Sequence, residues 1–175
     1  MKSSSGRVLL WGGALAVLIA DQLSKLWVIR NLELYVPTDI FPWLSSILSF
    51  TRLTNTGVAF GLLPQFGDFF TLLSAVVILV IIFFYRTLEV DDSLTHLALG
   101  LQIGGALGNL VDRLFRGFVV DFIDVNFWPL EHWPVFNIAD AAIVVGVGLL
   151  LVSTWLQERD QSALKVESEE VTADA

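Results

Sequence analysis

The sequence predicts an all-α membrane protein in which four transmembrane helices carry a small extracytoplasmic β-sheet domain. Three observations carry that expectation. Of the 175 residues, 55% are hydrophobic and only 16% charged, which is more apolar surface than one soluble core of this length can hide. Four apolar segments approach the roughly 17–25 residues that a helix needs to cross a bilayer. Between the first two, Ile47-Leu48-Ser49-Phe50-Thr51-Arg52-Leu53-Thr54-Asn55 has strand-like composition with patchy alternation, as a small sheet lying on the membrane surface would.

The first helix is expected at about 8–29, apolar through Ala20 and then taking in Asp21 and Lys25. Lys2 and Arg7 ahead of an apolar run also resemble the start of a secretory signal peptide, with Ala14-Leu15-Ala16 as a cleavage site. The apolar run continues past that triplet and three further spans follow, so the first helix is read as uncleaved. The second span, 69–86, carries no charge before Arg86. The third, 94–114, is uncharged through Val111 but includes His96, Gln102 and Asn109. The fourth, 135–157, has a single charge, Asp140, near its start. The two longer connections, 30–68 and 115–134, contain the unusual residues. Trp43, Trp128 and Trp133 in them fit an interfacial aromatic belt. Asn55-Thr56-Gly57-Val58-Ala59-Phe60-Gly61 supplies a Gly-bounded turn that can bring backbone close to a ligand.

Residues 1–157 thus form one membrane-embedded domain. The formal charge of −8 is half accounted for by residues 158–175, where six acids face two bases, a segment expected to be a disordered tail. With four spans both termini lie on one side. Placing them in the cytoplasm puts Lys2, Arg7, Arg86, Arg159 and Lys165 inside against Arg30, Arg52, Arg113 and Arg116 outside, a weak positive-inside signal. The absence of cysteine excludes disulfides, thiolate catalysis and cysteine-ligated metals. So acidic and apolar a chain is a poor partner for nucleic acid.

Several polar residues have both a structural and a functional reading. Gly100, Gly104 and Gly108 recur every four residues and lay a smooth strip along one helical face, as close helix packing requires. Asp21 and Lys25, four apart, can meet as an ion pair that anchors the first helix. Asn109 and Asp112 share a face beside Arg113; they either orient a substrate backbone or tie helix ends together through an Asp–Arg pair. Asn137 followed by Asp140 ahead of an apolar run has the form of a helix N-cap with its partner three residues on. An aspartate there also faces the positive end of the helix dipole.

Capping explains Asp140 without function. It does not explain Asp121, which sits in Val119-Val120-Asp121-Phe122-Ile123 with no local partner. A carboxylate at the edge of an apolar segment is costly and marks a functional candidate. Two such groups meeting across a partly dehydrated site repel each other, cannot both ionise near neutrality, and share one proton. That pair suits hydrolysis of an amide: the ionised member takes a proton from attacking water while its protonated partner hydrogen-bonds the carbonyl oxygen. No GxSxG or HExxH string competes, and no phosphate-cradling loop is present. His96 and His132 are far apart and lack a metal-ligand pattern.

Five blocks, in order, carry a family resemblance: Asp21-Gln22-Leu23-Ser24-Lys25, the Asn55 to Gly61 turn, Gly104-Gly105-Ala106-Leu107-Gly108-Asn109-Leu110-Val111-Asp112-Arg113, Val119-Val120-Asp121-Phe122, and Phe136-Asn137-Ile138-Ala139-Asp140. Over most of residues 8–157 the chain resembles the bacterial lipoprotein signal peptidases, also called signal peptidase II. The resemblance implies an inner-membrane aspartic endopeptidase, with both termini cytoplasmic and its site near the outer face at the ends of helices three and four. It implies Asp121 and Asp140 as the catalytic dyad. Asp21, Lys25, Asn55, Gly57, Gly108, Asn109, Asp112, Arg113, Asn137 and Ala139 become substrate-binding or supporting positions. The implied substrates are diacylglycerated prolipoproteins, cut just before the lipidated cysteine, with globomycin-type lipopeptides as inhibitors and no metal or other cofactor. A single bundle holding the whole site is expected to work as a monomer within membrane lipid. The rival from another class is a small proton- or cation-coupled transporter using Asp121 and Asp140, which would place its acids near mid-membrane with access from both sides. An assembly protein built on the glycine strip is a third reading, and leaves Asp121 unexplained.

Overall fold

The four apolar stretches are helical in a computed structural model that describes residues 4–56, 67–87, 92–130 and 133–173. The helices are α1 (Ser4–Asn31), α2 (Gly67–Thr87), α3 (Ser93–Arg116) and α4 (Ile138–Ala173), each containing a stretch long and apolar enough to cross a membrane. Side-chain chemistry sets their ends. Asp92 caps α3 by accepting from the backbone N–H groups of Leu94 and Thr95 at 3.2 and 2.8 Å. Gly117, at φ 79°, takes the left-handed position that closes the helix and donates its N–H to the Arg113 carbonyl.

The fourth helix differs from its expected range at both ends. It begins at Ile138 rather than at residue 135 because Phe136 is held extended in an antiparallel bridge with Ile123. It also runs on through the acidic segment that was expected to be a disordered tail, as far as Ala173. That segment is rich in Glu and Ala, which favour the helix.

The central helix is α3, more than half of whose membrane-length stretch is buried, whereas α2 is mostly exposed. It packs on each of the other three helices. The expected glycine strip makes this possible. A methyl group on Gly100 or Gly104 would lie 2.5 Å from the Leu10 carbonyl oxygen or 2.6 Å from that of Ala14, both on α1. Gly108 faces the Asp21 carboxylate and the Ala139 methyl group, and the neighbouring Gly105 fits against the Ala139 carbonyl of α4. Leu72, Leu79 and Phe83 of α2 point outward, as suits a helix solvated by lipid.

Strands β1 (Pro37–Thr38), β2 (Leu48–Asn55) and β3 (Val119–Val125) form one antiparallel sheet in that order. The middle strand matches the strand-like run read from the sequence. Its partner β3 lies in the connection 115–134, where no strand was anticipated, because Val119, Val120, Asp121 and Phe122 are all buried and leave no inside–outside alternation. Val120 and Phe122 pack with Val28 and Leu32 at the end of α1, which fixes the sheet to the helical bundle.

Candidate active site

Buried charge at the ends of α1 and α3 builds the site from below. Asp21, Lys25 and Asp112 are each 0% exposed. The Lys25 ammonium lies 2.8 Å from Asp21 Oδ2 and 3.0 Å from Asp112 Oδ2, and donates to Asn109 Oδ1 at 3.0 Å. All three of its donors are thereby used, which is what makes a buried lysine tolerable. The expected Asp21–Lys25 pair is therefore one edge of a larger knot. Each aspartate also holds a backbone group of another element: Asp21 Oδ1 accepts from Ala139 N of α4 at 3.0 Å, and Asp112 Oδ2 accepts from Val120 N of β3 at 3.0 Å.

Asp112 pairs with Arg116, not with the adjacent Arg113. Neighbours on a helix point about 100° apart, whereas residues four apart share a face, so the spacing itself favours Arg116. Gln22, a position that sequence reasoning passed over, bridges Asp112 Oδ1 and the Gly108 carbonyl at 3.1 Å each. Arg113 instead reaches the Asn109 carbonyl at 3.4 Å and lies in the wall of a cavity.

That cavity has a volume of about 790 Å³, in the range of small-molecule sites. Asn55, Asn109, Arg113, Asp121 and Asp140 supply its polar lining; Val119, Leu130, Trp133, Val144 and Val145 supply an apolar wall. Trp133, expected in an aromatic belt, thus also borders the site. Asp121 comes from β3 and Asp140 from the first turn of α4, so Asp121 lies beyond the end of α3 and not on it.

The asparagines organise the two carboxylates. Asn137 and Asp140 form a reciprocal capping box: Asp140 N donates to Asn137 Oδ1 at 3.0 Å, and Asn137 N donates to Asp140 Oδ2 at 3.3 Å. The Asn137 amide then donates to Asp121 Oδ1 at 2.7 Å and to Asn109 Oδ1 at 3.2 Å. Asn109 Nδ2 donates to Asp140 Oδ1 at 2.7 Å, and Asn55 Nδ2 to Asp121 Oδ2 at 2.9 Å. Capping and membership of the site are thus both true of Asp140. Asp121 is 3% exposed. Burial pushes its carboxyl up to about 7, the Asp140 charge adds to the rise, and hydrogen bonds from Asn55 and Asn137 oppose it.

The remaining candidates fall elsewhere. His96 lies at the far end of α3, against Gly6 and the Tyr85 ring. Gly57 and His132 lie outside the described residues. Among the described residues no group of three or more histidines or acids is placed to hold a metal ion.

Four membrane-length helices, a small sheet, and a cavity walled by two carboxylates from different elements define a polytopic membrane protein of the carboxylate-pair class. Comparison with known proteins narrows this. The family model for signal peptidase (SPase) II matches residues 13–156. A lipoprotein signal peptidase of Actinobacillus succinogenes is 42% identical over 159 residues, covering 89% of this chain and 94% of that protein. One of Geobacter sulfurreducens is 43% identical over 148 residues, covering 83% and 90%. A solved structure described as a bacterial membrane enzyme superposes with a TM-score of 0.78 at 28% identity, covering 91% of this chain and 93% of that one. The chain belongs to the signal peptidase II family. It is accordingly a peptidase and a multi-pass bacterial membrane protein.

Proposed function

We propose that the chain is an aspartic endopeptidase that removes the signal peptide from diacylglycerated prolipoproteins, cutting just before the lipidated cysteine, with Asp121 and Asp140 as its catalytic pair. The observation that carries this is the convergence of the two carboxylates on one cavity, each oriented by its own asparagine donors. The relatives' name, lipoprotein signal peptidase, supports the substrate class.

In the proposed reaction one aspartate is ionised and the other protonated. Burial and the neighbouring Asp140 charge raise the Asp121 carboxyl to about 7, so it can hold a proton near neutrality. The ionised partner takes a proton from water as the hydroxide adds to the scissile carbonyl carbon, and the protonated partner stabilises the developing oxyanion. Collapse of that intermediate breaks the C–N bond, with the acquired proton going to the leaving amine. Arg113, in the cavity wall, adds positive potential for the oxyanion. The apolar wall suits a substrate whose acyl chains remain in lipid while its peptide enters a polar cleft. By the charge bias of the loops, both termini are cytoplasmic and the cleft opens at the outer face. The chain works as a monomer, and globomycin-type lipopeptides compete for the cleft.

The test is incubation of the purified chain in lipid with a diacylated prolipoprotein and with the same protein lacking its acyl chains, the cut read by mass spectrometry. Cleavage of the lipidated form alone, immediately before the modified cysteine, is expected. Equal cleavage of both forms, or no cleavage with proton or cation flux in vesicles instead, overturns the assignment.

A further inference from the structure

Strand β2 does not pair evenly with β3. Phe50 stands opposite Ile123 and Leu53 opposite Asp121, so Thr51 and Arg52 together face Phe122 alone. This is a β-bulge, one extra residue inserted in the strand. Beyond it the register resumes with Thr54 opposite Val120 and Asn55 opposite Val119. Asn55 and Asp121 then lie diagonally on the same face of the sheet, the face that lines the cavity. Even pairing of the same residues without the bulge would put Arg52 opposite Asp121 and turn every later side chain to the other face, carrying the Asn55 amide away from the cavity.

Both bulged residues are tied down on the side away from the cavity. Thr51 Oγ1 donates to Asp124 Oδ2 at 2.8 Å. Arg52 reaches the end of α1, where Nη1 donates to the Ile29 and Leu32 carbonyls at 3.0 and 3.3 Å. A helix leaves its last carbonyls without partners and carries partial negative charge there, so a guanidinium is well matched to that end. The backbone closes the grip: Tyr35, at φ 64°, donates its N–H to the Arg52 carbonyl at 2.9 Å.

We propose that Arg52 is a positioning residue for the peptidase reaction: by locking the bulge of β2 onto the end of α1, it sets the register that holds Asn55 against Asp121. The proposal rests on the catalytic assignment above for its kinetic consequence, although the register claim stands by itself. It acts through Asn55 and touches no reacting atom.

Two readouts on the full-length chain test it. The chain has no cysteine, so Asn55→Cys with Val119→Cys introduces a lone thiol pair at register partners. Their oxidative cross-linking is expected to fall severalfold on adding Arg52→Ala and to recover with Arg52→Lys, which restores a cation at the helix end. In cleavage assays Arg52→Ala alone is expected to lose on the order of 10- to 100-fold, as misplacement of a catalytic group does. In an Asn55→Ala background the same change adds little, because both remove one interaction. Both variants should also move the Asp121-controlled limb of the pH profile upward, since Asn55 is a donor that favours its ionised form; a merely structural role lowers the amplitude and leaves the limb in place. If Arg52→Ala does not fold, Arg52→Gln, which keeps one donor group, takes its place in both assays. An unchanged cross-link, or losses that multiply with Asn55→Ala, overturns the proposal. A wild type that does not cleave refutes the peptidase assignment, and the cross-link then decides the role of Arg52.

Discussion

Lys25 Nζ lies 3.0 Å from Asn109 Oδ1, and this contact dictates which way the Asn109 amide points. An ammonium only donates, so the atom facing it must be the oxygen, and Nδ2 is left to face Asp140 Oδ1 at 2.7 Å. A lysine on α1 thereby orients a carboxylate on α4 through one side chain of α3. Asn109→Ala removes that relay. The expected result is a loss of roughly 10- to 100-fold in kcat with little change in KM, because the substrate's remote contacts are untouched. A rise in KM alone would assign Asn109 to substrate binding.

Lys25 also neutralises two fully buried aspartates, Asp21 and Asp112. Lys25→Met fills similar space but leaves Asp21 without its cation and Asp112 with Arg116 alone, for which the cost is about 3–5 kcal/mol. Thermal unfolding in detergent should show one of the largest losses of any single substitution in the chain. A variant as stable as wild type would mean that water reaches the knot.

The Asp121 carboxyl sits at about 7, above its ordinary 3.8. The folded chain holds this proton more tightly than the unfolded chain, so the contribution to stability is fully present below the ordinary value and is lost as pH rises through about 7. Asp121→Asn cannot ionise. Its stability relative to wild type should climb between pH 5 and pH 8, by a few kcal/mol at ~1.4 kcal/mol per unit of displacement. A difference that stays flat across that interval contradicts the burial of an ionisable Asp121.

The glycines of α3 give a steric test. A methyl group at position 104 would lie 2.6 Å from the Ala14 carbonyl oxygen, whereas one at Gly148 of α4 meets nothing within 4 Å. Gly104→Ala should force α1 and α3 apart at a cost of about 1–3 kcal/mol. Gly148→Ala should be neutral or stabilising by up to ~1 kcal/mol. Similar unfolding temperatures for the two variants would remove close packing from the account.

Sequence made the helices legible because a bilayer demands a fixed length of apolar chain, and it made the Asn137–Asp140 cap legible because capping is local. The start of α4 was misplaced since Phe136 is apolar but extended, held by Ile123 from a distant strand. Strand β3 was hidden because burial of successive residues erases the alternation that marks a strand. Asp121 and Asp140 stood out as costly acids, yet the donors that orient them, Asn55 to one and Asn109 to the other, act across 66 and 31 residues of chain. Only the fold reveals such pairings, and the bulge that turns Asn55 toward Asp121 leaves no mark in composition. Arg116 could have been found from its spacing to Asp112, had the adjacent Arg113 not offered a nearer partner in sequence.

The most direct measurement is cleavage of a diacylated prolipoprotein in lipid by the wild-type chain, Asp121→Asn and Asp140→Asn, with folding checked and the cut located by mass spectrometry. Both amides keep the side chain's shape and remove the titratable acid. The account predicts folded variants that have each lost cleavage before the lipidated cysteine. Near wild-type cleavage by either one would reduce that aspartate to a cap or packing residue and contradict the pair.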